Sequence, residues 1–359
     1  MQGPRSGRVS GMDADSTTTA RHVVRPPGLH RIGVRPAVWV DDAGDEVRDA
    51  ESLARLAALR VPPAWTHVWA ASSGDAPLQA TGVDARGRTQ YLYSPEAVAR
   101  AERHKFGSLM DFALALPLLR ERVEADLHSA DDAAGPAIPL TAAAVRLLDQ
   151  GLFRVGSTRY ARDNHTFGLT TLTRAHVIVN GDALAFDFVG KEHIVHHIDV
   201  RDAEVASVIH RRLERDDDEE GALFSTAEHP VPRRIDSVTV NSYIHTHSGA
   251  ASSAKTFRTW GATIAAAAVA GGARFEGTTT RLRDELAPYH AAAHLLGDTL
   301  TVARQSYVHP DAIRVGSTGP VRDAVSAAST EAGSDAVEAI LRAEVLRKAV
   351  YEGLLSTGA

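Results

Sequence analysis

His176-Val177-Ile178-Val179-Asn180-Gly181-Asp182-Ala183-Leu184-Ala185-Phe186-Asp187-Phe188-Val189-Gly190-Lys191-Glu192 carries the clearest β-sheet pattern in the chain. Two β-branched and aromatic runs flank Asn180-Gly181, a dipeptide that favours a tight hairpin turn. A third run, Ile194 to Val200, follows Lys191, so three antiparallel strands are expected with Lys191 at a tip. Lys191 is one of only four lysines, with Lys105, Lys255 and Lys348, among 39 basic residues. An ammonium can lose its proton near neutral pH in suitable surroundings, whereas a guanidinium effectively cannot. A lysine kept in an arginine-rich chain is therefore a candidate general acid. A biased composition also leaves four lysines by chance, so Lys191 and Lys255 gain meaning only from their neighbours.

Around this sheet the pattern is helical. Apolar residues recur at three-to-four spacing from Pro95 through Leu109, Phe112, Leu114 and Leu118, and helix resumes from Thr141 to Leu152. Beyond Ala203 the expected helices are 203–214, 237–246, 253–270, 279–296 and 299–306, with a helical end to the alanine-rich tail. Before Pro95, short strands at Ala37–Val40, Val68-Trp69, Leu78–Ala80 and Gln90–Tyr93 surround one helix, Glu51–Leu59, which Pro62-Pro63 terminates. The class is α+β, with a small β-containing N-terminal domain and a mainly α-helical catalytic domain holding the three-stranded antiparallel sheet. The expected divisions are a disordered leader at 1–27, an N-terminal domain at 28–103, a catalytic domain at 104–312 and a helical tail at 313–359.

Composition narrows the classes. There is no cysteine, which excludes disulfides and thiolate metal sites and is consistent with a reducing compartment. The first thirty residues lack the apolar core of a signal peptide. The apolar stretch Ala262 to Ala273 is too short to span a bilayer. A net charge of −6 runs against a phosphate-binding surface, although a net count does not say which face carries which sign. Part of the acidity sits in one run, Asp216 to Glu220, expected to be a solvated loop.

Four segments carry the chemistry. They are Phe153-Arg154-Val155-Gly156 leading into Tyr160, the Lys191 hairpin, Lys255-Thr256-Phe257-Arg258, and Arg304-Gln305-Ser306-Tyr307. In isolation each has a structural explanation: Arg154 as a helix cap, Arg258 as an ion-pair partner, Tyr307 as a core residue. The ordered set Arg, Lys on a sheet, Lys-x-x-Arg, Tyr is far more specific. With it, the chain resembles the catalytic domain of type IB DNA topoisomerases in their short bacterial and poxviral form. Pro62-Pro63-Ala64-Trp65, the run Gln79 to Tyr93, and Lys105-Phe106 resemble that family's N-terminal domain and hinge. The resemblance spans roughly residues 28 to 312.

The resemblance implies relaxation of supercoiled duplex DNA by transient single-strand cleavage, without ATP or metal. Tyr307 would be the nucleophile, Arg154 and Arg258 the phosphate clamps, Lys191 the general acid and Lys255 a second cation at the scissile phosphate. These types suit the reaction: a phosphotyrosine conserves the bond energy, fixed guanidiniums match the charge of a phosphorane-like transition state, and a lysine protonates the leaving oxygen. Arg88, Gln90, Tyr91, Tyr93 and Tyr160 would contact DNA, Tyr91 and Tyr93 from one face of a strand. It further implies no cofactor, no obligate protein partner, a monomer, and a cytoplasmic, nucleoid-associated location. The family has Gly-His-Thr-Pro or Gly-Asn-Thr-Pro before the tyrosine, and this chain has Gly297-Asp298-Thr299-Leu300. Asp298 therefore stands where a hydrogen-bond donor normally faces the phosphate. It would be protonated there or turned toward an arginine.

Two rivals follow. A tyrosine recombinase-like strand transferase shares this catalytic logic but usually carries His-x-x-Arg where this chain has Lys255-x-x-Arg258. A DNA-binding homologue with weakened catalysis would account for Asp298. His290 with His294, and His193, His196 and His197, invite a metal reading. No glutamate completes a His-Glu-x-x-His motif, so packed or solvated histidines are expected.

Overall fold

The computed structural model describes residues 26–34, 36–129, 137–214, 221–226, 234–249, 252–274, 284–332 and 341–357. The expected leader, up to residue 25, and the acidic run Asp216 to Glu220 lie outside the described residues. The chain divides into two compact units, Met1–Lys105 and Phe106–Ala359.

The first unit is one antiparallel sheet with a helix. Strands β1 (Gly28–Ile32), β2 (Val38–Asp41), β3 (Thr66–Ala71), β4 (Leu78–Val83) and β5 (Thr89–Tyr93) lie in the order β2-β1-β3-β4-β5. Helix α1 (Ala50–Ala58) starts where the Asp49 carboxylate accepts from Ser52 N at 2.7 Å, a cap that satisfies one of the free N–H groups of the first turn. Its Leu56 joins Leu29, Ala70 and Ala80 in a small core. Period-two alternation on β5 turns Leu92 toward that core and leaves Tyr91 and Tyr93 exposed on the other face.

The second unit is helical around a three-stranded sheet. Helix α2 (Pro95–Leu127) crosses the division between the units; in the second it buries Phe106, Leu109, Phe112, Leu116 and Leu119. Helix α3 (Ala137–Gly151) follows, then the short α4 (Thr158–Asn164), which the sequence pattern does not announce. Strands β6 (Val177–Asn180), β7 (Ala183–Val189) and β8 (Val195–Arg201) form the expected sheet, with Phe188 opposite His196. Its first turn is displaced by one residue from the expected Asn180-Gly181 pair. Asn180 is the last strand residue, paired with Ala183, and the loop is Gly181-Asp182 with Gly181 at φ 61.

Helices α5 (Ala203–Leu213), α6 (Ser237–Ser248), α7 (Ala254–Ala270) and α8 (Ala287–Leu296) complete the core. Alanines 262 and 265–268 of α7 are fully buried, and their small side chains allow α8 and α9 (Ala312–Gly316) to approach closely. The expected helix 299–306 is not uniform: one α-turn at Leu300–Val302 passes into a π-helical turn at Ala303–Tyr307. The C-terminal helices α10 (Gly319–Ala332) and α11 (Glu344–Leu355) are part of this unit, with Val321, Leu346, Val350 and Leu354 in its core. Arg120 and Arg347 both reach Asp149, at 2.7 and 3.5 Å. Among the described residues no helix is long and apolar enough to cross a membrane.

Candidate active site

Arg154 sits just beyond α3, not on it. Leu152 takes φ 50, which ends the helix, and Phe153 is buried between Phe186 and Phe188 of β7. That anchor fixes the segment from which Arg154 projects. Arg258 is one turn along α7 from Lys255, so the two share a helix face. The N-terminus of α7 is closed by Ser253 N donating to the Thr256 hydroxyl at 3.0 Å and Thr256 N donating to Ser253 O at 2.8 Å.

Asp298 joins the two arginines. Arg154 Nη2 donates to Asp298 Oδ1 at 2.8 Å, and Arg258 Nη2 donates to Asp298 Oδ2 at 2.7 Å. Arg258 is 4% exposed and also donates to the Leu152 carbonyl at 2.6 Å and the Leu296 carbonyl at 3.0 Å. Its Nε is buried with no acceptor among the described residues. The Arg154 guanidinium is held below its ordinary value, first by burial and then by Arg258, with Asp298 opposing. Of the two fates open to Asp298, the structure has it turned to the arginines.

The tyrosine ring closes the group. Tyr307 is half-buried, with Arg258 Cζ 5.2 Å and Lys255 Nζ 6.0 Å from its ring centroid. The π-helical turn, whose Val308 N reaches Ala303 O at 3.0 Å, sets the direction of Tyr307. Such widened turns concentrate at functional sites. Just after it, His309 N donates to the Thr263 hydroxyl at 3.1 Å, tying the segment to α7.

Lys191 begins a 3₁₀ turn between β7 and β8 and is exposed. The loop is closed by Gly190 N donating to Ile194 O at 2.7 Å, and Glu192 and His193 both take left-handed backbone, at φ 63 and 61. Non-glycine residues rarely adopt it, so the loop stores strain. Between this loop and the arginines lies His196, one of the histidines expected from the sequence to be packed or solvated. Its Nε2 is 3.5 Å from Arg154 Nη1, and its ring stacks on Phe188 at 5.1 Å.

The expected DNA contacts fall in two places. Arg88, Gln90, Tyr91 and Tyr93 are in the first unit. Arg88 Nε and Gln90 Nε2 each donate to Asp84 Oδ2 at 2.9 Å. The Arg88 amide first, then the Arg88 side chain, the Arg86 amide and Gln90, hold the Asp84 carboxyl at about 2 against the effect of burial. The Tyr91 and Tyr93 rings stack at 6.3 Å, and burial raises the Tyr93 hydroxyl above its ordinary value. Tyr160 is in the second unit, exposed on α4. Among the described residues the one group with metal-ligand spacing is Glu124, His128 and Glu204, not the histidines singled out in the sequence. Arg146 donates to Glu124 there at 2.6 Å, so the group is an ion-pair network.

The similarities to known proteins agree with this geometry. Residues 95–307 match the family described as eukaryotic DNA topoisomerase I, catalytic core. Residues 38–84 match bacterial DNA topoisomerase IB, N-terminal domain. The chain is 30% identical over 246 residues to DNA topoisomerase 1B of Acanthamoeba polyphaga mimivirus, covering 68% of this chain and 72% of that one. It is 23% identical over 120 residues to DNA topoisomerase 1 of Rabbit fibroma virus (strain Kasza), covering 33% of this chain and 37% of that one. The chain therefore belongs to the type IB DNA topoisomerases, isomerases whose substrate is DNA.

Proposed function

We propose that the chain relaxes supercoiled duplex DNA through a covalent 3′-phosphotyrosyl intermediate on Tyr307. The observation that carries this reading is the convergence of Arg154 and Arg258 on one carboxylate beside the Tyr307 ring. Two guanidiniums that share a carboxylate can grip a phosphate in the same way, through fork-shaped donors. A phosphate oxygen would also give the buried Arg258 Nε an acceptor.

In the proposed step, the Tyr307 phenolic oxygen gives up its proton to solvent and attacks the scissile phosphorus as the bond to the 5′-oxygen breaks. The proton returns to the phenol when the tyrosine leaves on religation. Arg154, Arg258 and Lys255 balance the charge on the non-bridging oxygens. Lys191 gives its proton to the leaving 5′-oxygen and takes it back when the freed strand attacks the phosphotyrosine. The bond energy is conserved in the intermediate, so the cycle consumes no nucleotide and calls for no metal. A single copy of the chain carries every residue that this reading uses.

One observation favours the weakened-catalysis alternative: Asp298 already occupies the donors that a phosphate needs. Supercoil relaxation in EDTA without ATP decides between them. Relaxation by the wild type, together with DNA binding but no relaxation or adduct by Tyr307→Phe, supports the reading. Binding without relaxation by the wild type supports the alternative, and strand exchange between defined sites a recombinase.

A further inference from the structure

We propose that His196 is a positioning residue for Arg154, keeping that guanidinium aimed at the scissile phosphate when DNA takes the place of Asp298. The inference deepens the functional reading above and rests on it.

The ring lies where three parts of the site meet. A Cβ at Gly190, the residue before Lys191, would sit 2.5 Å from the ring's Cδ2. A Cβ at Gly297, the residue before Asp298, would sit 2.3 Å from its Cε1, and Gly297 is itself at φ 57. Only glycine leaves room for the imidazole at both places. Phe188 backs the ring from the opposite strand position, and Nε2 faces Arg154 Nη1. One side chain thereby touches the backbone beside Lys191, the backbone beside Asp298, and Arg154.

The charged groups that face it are Arg154, Arg258, Asp298 and, on its own strand, His197. Burial first, then the two arginines, hold the imidazole at about 4, with Asp298 opposing. The ring is therefore uncharged at neutral pH. Arginine has no acceptor, so Nε2 must offer its lone pair while Nδ1 carries the proton. Herein lies the difference from Asp298. A carboxylate orients Arg154 but cancels the charge that the phosphate needs, whereas a neutral nitrogen orients it and leaves the charge intact. The separation of 3.5 Å is long for such a bond. Contacts of this kind commonly shorten when the reacting group is bound.

Packing alone would also explain a stacked histidine, so the test separates the ring from its nitrogen. Single-turnover formation of the covalent adduct on a duplex is measured for wild type, H196F, H196Q, R154A and the R154A/H196F double variant, with thermal denaturation of each. His196→Phe retains the stack. It should melt with the wild type yet cleave about 10- to 100-fold more slowly, the range for losing a hydrogen bond to a charged group. His196→Gln, with an acceptor of similar reach, should recover part of that rate. In the R154A background His196→Phe should cost almost nothing further, because its effect passes through Arg154.

A wild-type rate in H196F, or an equal loss with and without Arg154, overturns the proposal. If H196F does not fold, His196→Leu, which also lacks the acceptor, runs the same cycle. A wild-type chain that forms no adduct overturns both this role and the reading of the site. An active wild type with additive losses overturns only the role of His196.

Discussion

Asp298 accepts from Arg258 Nη2 at 2.7 Å, in a site where the arginine is almost wholly buried. The same carboxylate holds Arg154, 144 residues away in sequence. An ion pair of this kind is a structural tie. On the proposed reading it is also a competitor for the substrate, since a phosphate would have to displace the carboxylate or share the guanidiniums with it.

Asp298→Asn should therefore cleave DNA faster and bind it more tightly than the wild type. The amide keeps a carbonyl that can accept from one arginine, gains N–H donors for a phosphate oxygen, and loses the competing charge. Asp298→Ala should be less stable by about 3 kcal/mol, since it leaves Arg258 buried without its counter-charge; the Asn variant should lose less. Single-turnover cleavage and chemical denaturation measure the two effects. An Asn variant no faster than wild type would show that the carboxylate does not compete at this seat.

A second carboxylate links the helix that launches Arg154 to the helix that follows the sheet. Asp202 Oδ1 accepts from Val205 N at 3.1 Å, capping α5, while Oδ2 accepts from Arg146 Nε at 2.8 Å and Gln150 Nε2 at 2.7 Å on α3. Burial raises its carboxyl, but the capping amide, Gln150 and Arg146 together hold it below the ordinary value. A depressed folded value means that its stabilisation is complete above the unfolded value of about 3.9 and lost as pH falls through the folded one. Asp202→Ala should cost about 2 kcal/mol at pH 7. The deficit relative to wild type should shrink below pH 4, as measured by urea denaturation across pH. A deficit that does not change with pH would mean that packing, not charge, is lost.

Tyr91 and Tyr93 stack on an exposed face of the first unit. Replacing both with alanine should leave thermal stability within about 0.5 kcal/mol. It should weaken duplex binding by roughly 5- to 10-fold, the range for truncating an aromatic contact worth about 1 kcal/mol or more. Fluorescence anisotropy at fixed salt reads the affinity. Unchanged affinity would make the pair ordinary surface residues of the sheet.

Much of this architecture is legible locally. The alternation of β7, the helical spacing of α2 and α7, and the Lys255-x-x-Arg258 interval all follow from residues close in sequence. What is not legible in the sequence depends on distant partners. Strand β1 contains Gly28, His30 and Arg31 and is defined by β2 and β3 on its two sides, so its own residues give little signal. The π-helical turn at Tyr307 has no residue signature. His196 gains its place from Gly190 and Gly297, which no spacing rule connects. The Asp298 departure was visible as a residue type, but its bridge required two arginines folded onto it.

Lys191 offers the sharpest test of chemistry. It stands exposed at the start of a loop strained by Glu192 and His193, with Gly190 against the His196 ring. If it protonates the leaving 5′-oxygen, Lys191→Ala should slow cleavage of an ordinary phosphodiester by roughly 10²–10⁴-fold, the usual contribution of a general acid. A substrate with sulfur at the 5′-bridging position should restore most of that rate, because a thiolate leaves without a proton. The same sulfur should not rescue Arg154→Ala, whose loss concerns the non-bridging oxygens. Equal damage by Lys191→Ala on both substrates would reduce Lys191 to a phosphate contact, and rescue of both variants would mean that the sulfur merely makes the bond easier to break.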